Sequence, residues 1–424
     1  MIRESEYKAR RDKLVSSMPK HSVTVLFSTT NKTRSNDTSY PFRQDSNFYY
    51  MSGFKEDNSI LMLIKKKKKY KSILFVNKKD KTDEMWNGKR LGVEKAKKRF
   101  MVDEIYTNDE FEKILKESLD SKNTLCFDFG LEYSNVKTLK KNSKLVSNHI
   151  DVSPVIGKIR LYKSPSEIEL IKKAIKITKK AHHKIMKLNK KSKNEYELLA
   201  DIEHTFKSNG AYHDAYTSIV ASGNNANTLH YIDNNKPLKD ADLILIDAGC
   251  EYEYYASDIT RTIPVNKKFT KAQKDIYNLV LRVEKKIIKM VKPNILRSEL
   301  HTKSEKLLVK GMIKLGILDG NYKKIIKKQK HKVYYPHGIG HWMGLDVHDA
   351  CPYKDDNGKE IPLKEGMVLT IEPGIYIDKY DKNVPKKYRG IGIRIEDDIL
   401  VVKDGHENLS AGIIKEISDI EDIV

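Results

Sequence analysis

The sequence predicts an α/β (α+β) protein of two domains, and three observations support this prediction. The chain has 424 residues, which is more than one hydrophobic core usually organises. Short apolar runs typical of strands alternate with segments whose apolar residues recur every three or four positions, as in amphipathic helices. Two Ser-Pro pairs, at residues 153–154 and 164–165, bracket a segment that we interpret as a connection. We therefore expect domains at residues 1–157 and 158–424.

The first domain is predicted to combine strands with helices. Four short apolar runs predict strands at residues 23–27, 59–64, 72–76 and 125–129. Two segments with helical apolar spacing predict helices at residues 93–100 and 109–119. A dense lysine run, residues 65–69, lies between two of these strands, and we interpret it as the solvated turn of a hairpin.

Helix signals are clearest in the second domain. Capping-box patterns at residues 164–167 and 270–273 each precede a helical apolar period. These patterns and two further periods predict helices that begin near residues 164, 194, 270 and 297. Apolar runs between the helices predict strands at residues 242–247, 254–265, 367–371 and 391–402.

The composition describes the surface of the protein more than its function. The formal net charge is +22, from 80 Lys and Arg residues against 58 Asp and Glu residues. Only 13 of the basic residues are arginine, the residue that supplies most bidentate contacts to bases and phosphates. We therefore expect no specific nucleic-acid partner.

A cytoplasmic location is expected, without a membrane partner. The sequence has no apolar run of about 18 residues, and its first 20 residues lack the apolar region of a signal peptide. The three cysteines, Cys126, Cys250 and Cys351, are too few and too scattered for a disulfide framework, which fits a reducing compartment.

Five residues of the second domain have the chemistry of a metal site. Asp247 and Asp258 lie in neighbouring predicted strands, where two carboxylates on one face repel unless a cation lies between them. Glu372 follows an apolar strand, Glu396 alternates with isoleucines, and His341 lies in a glycine-rich loop. Each alone is more simply a strand end, a salt-bridge partner or a structural histidine. Together they form an oxygen-rich set that predicts two divalent ions, with Mn²⁺ favoured over Co²⁺ and Zn²⁺, and a metal-activated hydrolysis.

The motifs around these five residues resemble those of the pita-bread metallopeptidases, specifically the aminopeptidase P and prolidase branch. The matching segments are Leu-Ile-Asp-Ala-Gly, Ser-Asp-Ile-Thr-Arg-Thr, Gly-His-Trp-Met-Gly, Ile-Glu-Pro-Gly and Arg-Ile-Glu-Asp. The resemblance implies that Asp258 and Glu396 bridge two ions. A hydroxide would bridge the same two ions. It further implies that Asp247 completes one coordination shell. His341 and Glu372 would complete the other.

The same resemblance implies catalytic roles for five residues. His230 and His348 match histidines that steady the substrate carbonyl and the tetrahedral intermediate. His337 matches a residue that lines the pocket for proline. Glu372 would carry a proton from the attacking water to the leaving nitrogen, and Arg394 would orient the bridging glutamate.

The first domain resembles the amino-terminal domain of aminopeptidase P. The resemblance rests on residues 40–50, on Ser-Gly-Phe at 52–54 and on Trp-Asn-Gly-Lys-Arg-Leu-Gly at 86–92. In that family the domain forms oligomer contacts, so the resemblance implies a homo-oligomer, either a dimer or a tetramer. Trp86 would either reach a neighbouring active site or pack in the core.

The resemblance implies an Xaa-Pro aminopeptidase, which acts on peptides with proline at the second position. The nearest alternative is a prolidase, restricted to Xaa-Pro dipeptides, which needs a cation such as Arg389 to pair with the prolyl carboxylate. A more distant alternative is a non-catalytic pita-bread protein that binds through its positive surface. Such a protein would have little need of all five ligand residues.

Tyr376 is expected to add a hydrogen bond near the metals.

Overall fold

The computed structural model describes residues 2–130, 134–146, 148–188 and 192–423. The chain forms two compact units, Met1–Arg160 and Leu161–Val424, and each contains helices and sheet, which confirms the predicted fold class. The segment expected to be a plain connection instead contains a helix, Ser153–Arg160. Its second residue is a proline, which suits the first turn of a helix because the N–H groups there have no partner within the helix. Among the described residues, no helix is long and apolar enough to cross a membrane.

The first unit is a sheet flanked by short helices. Its helices are α1 (Glu4–Ser17), α2 (Ser46–Ser52), α3 (Lys81–Asn87), α4 (Gly92–Arg99), α5 (Phe111–Ser118), α6 (Ser134–Asn142) and α7 (Ser153–Arg160). Its strands are β1 (Ser22–Phe27), β2 (Thr33–Ser35), β3 (Thr38–Ser39), β4 (Ile60–Lys66), β5 (Lys69–Val76), β6 (Glu104–Thr107), β7 (Thr124–Phe127) and β8 (Asn148–Asp151).

Six of these strands form one mixed sheet with the order β6-β5-β4-β1-β7-β8. Strand β4 is antiparallel to both of its neighbours, whereas β1, β7 and β8 run parallel to one another. Every residue of β1 is buried, as expected for a central strand that is covered on both faces. The lysine run forms the predicted hairpin turn, because β4 ends at Lys66, β5 begins at Lys69 and Lys67 between them has a positive φ of 56°.

Two large apolar side chains lie at the surface of α3. Met85 is 76% exposed and Trp86 is 78% exposed. The core interpretation of Trp86 is therefore wrong. Neighbouring exposed apolar side chains of this size are typical of a contact surface.

The second unit contains longer helices and several small sheets. Its helices are α8 (Pro165–Leu188), α9 (Glu195–Ser208), α10 (Lys271–Ile288), α11 (Arg297–Lys314), α12 (Tyr322–Lys327) and α13 (Ile417–Asp422). Its strands are β9 (His213–Asp214), β10 (Ile219–Ser222), β11 (Leu243–Asp247), β12 (Cys250–Tyr252), β13 (Tyr255–Ala256), β14 (Thr260–Pro264), β15 (Val368–Ile371), β16 (Gly374–Tyr376), β17 (Gly392–Arg394), β18 (Asp397–Val402) and β19 (Gly405–Asn408). Both predicted capping boxes form, at the starts of α8 and α10.

Two predicted strands are divided where proposed metal ligands lie. The strand expected at residues 254–265 becomes β13 and β14, which pair with β12 and β11 in different sheets, and Asp258 lies between them. The strand expected at 391–402 becomes β17 and β18, which pair with β16 and β15, and Glu396 lies between them. Side chains on a continuous strand must alternate between its two faces. A break removes that constraint, so each carboxylate can turn towards a common point.

Gly249 lies between β11 and β12, in the first arm of the hairpin that returns through β13 and β14, and we predict that it tolerates no side chain. A Cβ atom there would lie 1.8 Å from the carbonyl oxygen of Ser257. Gly249→Ala should therefore lower the free energy of unfolding by about 2 kcal/mol or more, because the hairpin must open. Gly405→Ala is the matched control, since no described atom lies within 4 Å of its Cβ position. Urea denaturation compares the two variants, and equal stabilities would contradict the prediction.

Candidate metal centre

The structure brings all nine predicted site residues to one cavity of about 580 Å³. They are Asp247, Asp258, His341, Glu372, Glu396, His230, His337, His348 and Arg394. At its centre, donor atoms of Asp258, His341 and Glu396 lie within 4.8 Å of one another. The Nε2 atom of His341 is 3.2 Å from Asp258 Oδ2 and 3.8 Å from Glu372 Oε1. A cluster of oxygen and imidazole donors at this spacing is able to hold divalent cations.

The loop that carries His341 is held against β15 by close backbone contacts. The N–H of His341 donates to Thr370 Oγ1 at 3.1 Å, and the N–H of Thr370 donates to His341 O at 3.0 Å. A Cβ atom on Gly340 would lie 1.9 Å from the carbonyl oxygen of Thr370, so only glycine fits there. Glu372 follows β15 directly, and this contact therefore places it beside His341.

Burial and mutual repulsion dominate the electrostatics of the carboxylates. Burial, followed by the charges of Asp258 and Glu372, raises the pKa of Glu396 well above its ordinary value. Burial also raises the pKa of Glu372 to about 7, against the opposing effect of His341. The pKa of Asp258 is raised by burial too, although its hydrogen bond with His341 opposes the shift. Carboxylates so placed are unfavourable unless cations neutralise them, so the residues present fit divalent metal ions.

Arg394 connects three parts of the site. Its guanidinium donates to Asp247 Oδ2 at 2.5 Å, to the Tyr376 hydroxyl at 2.9 Å and to Thr260 Oγ1 at 3.1 Å. The hydroxyl of Thr260 in turn donates to Glu396 Oε2 at 2.7 Å. Arg394 therefore forms its ion pair with Asp247 and reaches Glu396 through Thr260.

The histidines of the cavity differ in their surroundings. The Nδ1 of His337 donates to Gly338 O at 2.8 Å, and in this tautomer its Nε2 accepts from the Tyr376 hydroxyl, also at 2.8 Å. Burial, assisted by the charge of Arg394, lowers the pKa of His337 to about 3, so its ring is neutral. The rings of His341 and His348 lie 4.1 Å apart. Burial and the neighbouring His341 lower the pKa of His348.

The rest of the cavity lining is mostly apolar. Its aliphatic members are Ile219, Leu229, Ile232 and Val347. Arg389, considered above as a partner for a prolyl carboxylate, is not among the lining residues, and its guanidinium donates to two backbone carbonyls of its own loop.

Tyr216 is a lining residue that sequence reasoning missed. Its hydroxyl donates to Asp247 Oδ1 at 2.6 Å, while Arg394 donates to the other oxygen of that carboxylate. Burial and the charge of Asp247 raise the pKa of this tyrosine, so it stays a donor. No motif or apolar period marks Tyr216, which precedes the short strand β10, so no local signal pointed to it.

Comparisons with known proteins extend over both units. Residues 169–403 match "Metallopeptidase family M24", and residues 7–126 match "Aminopeptidase P, N-terminal domain". An Xaa-Pro aminopeptidase of Haemophilus influenzae is 42% identical over 421 residues, which are 99% of this chain and 97% of the relative. An Xaa-Pro aminopeptidase of Escherichia coli is 40% identical over an alignment of 433 positions, gaps included, that covers 99% of this chain and 97% of the relative. The structure of E. coli aminopeptidase P with the inhibitor Pro-Leu has a TM-score of 0.94 and 40% identity, and covers 100% of this chain and 98% of that one.

Protein stripped of metal should lose stability as the pH rises from about 7 to about 9, above the range in which the lowered pKa of His337 acts in the opposite direction. The folded pKa of Glu372, about 7, and that of His341, about 9, exceed the ordinary values of 4.5 and 6.5. For His341, burial lowers the pKa, but the hydrogen bond and charge of Asp258 outweigh it. Both groups therefore bind more protons in the folded state than in the unfolded state, and stability falls as these protons are lost.

Added Mn²⁺ should flatten this pH dependence, because the cation replaces the protons as the source of neutralising charge. Urea denaturation with a chelator and with Mn²⁺, across the same pH range, is the measurement. A chelated protein that became more stable with rising pH would contradict the assignment.

Proposed function

The chain belongs to metallopeptidase family M24 and is an Xaa-Pro aminopeptidase, and we propose that the cavity described above is its active site. The observation that carries this proposal is the convergence of nine residues, chosen from sequence motifs far apart in the chain, on one cavity. The reaction removes the first residue of a peptide whose second residue is proline. Proline requires a dedicated site, because its nitrogen carries no N–H and its ring fixes φ.

We propose that two divalent ions, Mn²⁺ in particular, are held by the five ligand residues. Asp258 and Glu396 would be shared between the ions, Asp247 would serve one of them, and His341 with Glu372 would serve the other. The ions would supply an activated water and a polarised scissile carbonyl. The charges support two ions, since four carboxylates meet one guanidinium, which is already paired with Asp247.

Glu372 is the group best placed to move a proton. Its carboxylate lies 3.8 Å from His341 Nε2 and 3.6 Å from His337 Nδ1. In this position it would accept the proton of the attacking water and deliver it to the prolyl nitrogen as the bond breaks.

The remaining histidines would bind and orient the substrate. His230 and His348 line the cavity and are exposed within it, so their N–H groups could donate to the carbonyl oxygen as negative charge develops. His337 is hydrogen bonded at both nitrogens and is neutral, so it presents a fixed ring to the apolar pyrrolidine of proline.

A restriction to dipeptides finds no support in the charges of the cavity. A prolidase requires a cation that pairs with the prolyl carboxylate. Among the described residues that line the cavity, Arg394 alone is an arginine or lysine, and it is paired with Asp247. Arg389 bonds to its own loop. We therefore favour a site that accepts peptides continuing beyond proline.

We also propose that the protein is a cytoplasmic homo-oligomer, a dimer or a tetramer. The exposed side chains of Met85 and Trp86 on the first unit support contacts between copies. The buried free thiols of Cys126 and Cys250 are consistent with a reducing compartment.

Asp258→Asn should lower kcat by more than about 100-fold, since even the partners of metal ligands contribute 10–100-fold. Protein loaded with Mn²⁺ should contain two ions per chain in the wild type and fewer in the variant, as measured by elemental analysis. Asp240→Asn, at an exposed position, is the matched control and should behave as the wild type. Near-normal turnover by the Asp258 variant would show that this aspartate is not a ligand.

A peptide Xaa-Pro-Xaa should be cleaved at least as well as the matching Xaa-Pro dipeptide, judged by kcat/KM in one manganese buffer. The reason is that the described lining residues include no unpaired arginine or lysine that could form an ion pair with a prolyl carboxylate. Arg389→Ala should leave both values unchanged, because this residue does not line the cavity. A tenfold or greater preference for the dipeptide would place the enzyme with the prolidases.

A further inference from the structure

The loop of residues 342–349 sets the distance between two histidines of the site. The N–H of Asp349 donates to Trp342 O at 2.9 Å and closes the loop. His341 directly precedes this closure and His348 lies just inside it, and their rings are 4.1 Å apart. Any movement of Asp349 would therefore move His348 relative to His341.

The carboxylate of Asp349 is held by a buried ion pair with Lys163. The Nζ of Lys163 is 3.0 Å from Asp349 Oδ2, and each side chain is only 1% exposed. The thiol of Cys351 donates to the same oxygen at 3.1 Å. Lys163 is anchored in turn, because its backbone N–H donates to Gly366 O at 2.8 Å, just before β15. The pair thus ties the closure of the loop to the strand that leads to Glu372.

The loop backbone packs directly on this ion pair. A Cβ atom on Gly344 would lie 2.5 Å from Asp349 Oδ2 and 2.9 Å from Lys163 Cε, so the pair fills the space beneath the loop. The carbonyl of Gly344 accepts a hydrogen bond from Ala256 N–H at 2.8 Å. Ala256 ends β13, two residues before Asp258. The loop is therefore fixed between the ion pair and the strand that leads to a proposed ligand.

A buried ion pair contributes little net stability to a fold, because its charges must be removed from water. Two apolar side chains of similar volume often stabilise a fold as well or better, because no charge has to leave water. An ion pair is directional, however, and this one acts on the residue that follows His348. We propose that Lys163 is a positioning residue, which fixes His348 against His341 through Asp349. This inference rests on the proposed function and assigns to it a residue that does not line the cavity.

A double-mutant cycle between Lys163 and His348 tests the proposal. Lys163→Met, His348→Ala and the double variant are loaded with Mn²⁺, and metal content, urea denaturation, kcat and KM are measured for each on an Xaa-Pro-Xaa peptide. Lys184→Met is the matched control. Lys184, on α8, also forms an ion pair, with Asp201 at 2.6 Å, but both of these side chains are about one third exposed.

If Lys163 acts through His348, Lys163→Met should retain its metal and lower kcat by about 10–100-fold, the range for residues that orient metal-site groups. The same change in the His348→Ala background should lower kcat by less than about threefold, because the group that it positions is gone. A residue that only supports the fold would instead give losses that multiply across the two backgrounds.

A second variant covers the case in which Lys163→Met does not fold. Lys163→Met with Asp349→Leu removes both charges, so no uncompensated carboxylate remains in the interior. We expect this variant to fold and to bind metal but to turn over slowly. Full activity in it, or multiplicative losses in the cycle, would overturn the positioning role while the wild type still cleaves Xaa-Pro peptides. A wild type that cleaves none of them would overturn the proposed function and this inference together.

Discussion

The second unit is built around the repulsion among buried carboxylates. Burial and neighbouring negative charges raise the pKa values of Glu396 and Glu372. Arg394, the one arginine among the described residues that line the cavity, is paired with Asp247. Water relieves this repulsion only in part, because Asp258 and Glu396 are buried and charges interact more strongly away from bulk solvent. Divalent cations can relieve it, and metal binding then stabilises the fold by linkage. The same repulsion that makes the metal-free cluster unfavourable therefore suits it to bind divalent cations, as proposed.

Each proposed ligand is fixed by a partner from a different element. Asp247 accepts hydrogen bonds from Tyr216 and Arg394, one at each oxygen. The N–H of Asp258 donates to the buried carboxylate of Asp398 at 3.1 Å. Because the partners come from segments far apart in the chain, the ligands are positioned only when the whole unit has folded. Such a frame keeps the donors in place without the metal and limits the rearrangement that binding requires.

The sequence predicted which residues form the site better than it predicted how the strands position them. Asp258 and Glu396 were predicted from motifs, but their places at breaks between strands were not. The residues beside them, Ile259 and Ile395, are fully buried, so the apolar pattern continues through each break and cannot distinguish one strand from two. Lys163 was missed for a different reason. Its partner Asp349 is 186 residues away, and a pair at that separation leaves no local pattern.

The distribution of charge also bears on which peptides fit. Arg394 is fixed on Asp247 and Lys163 on Asp349, so the buried cations of the site neutralise the protein's own carboxylates. Among the described lining residues outside the proposed ligand set and Arg394, His337 is neutral and side chains such as Ile232 are apolar. Neutral and apolar surfaces recognise the shape of the pyrrolidine ring and set no condition on the charge that follows it. In the proposed active site, side chains of this kind would recognise proline at the second position and would place no charge requirement on the residues that follow it.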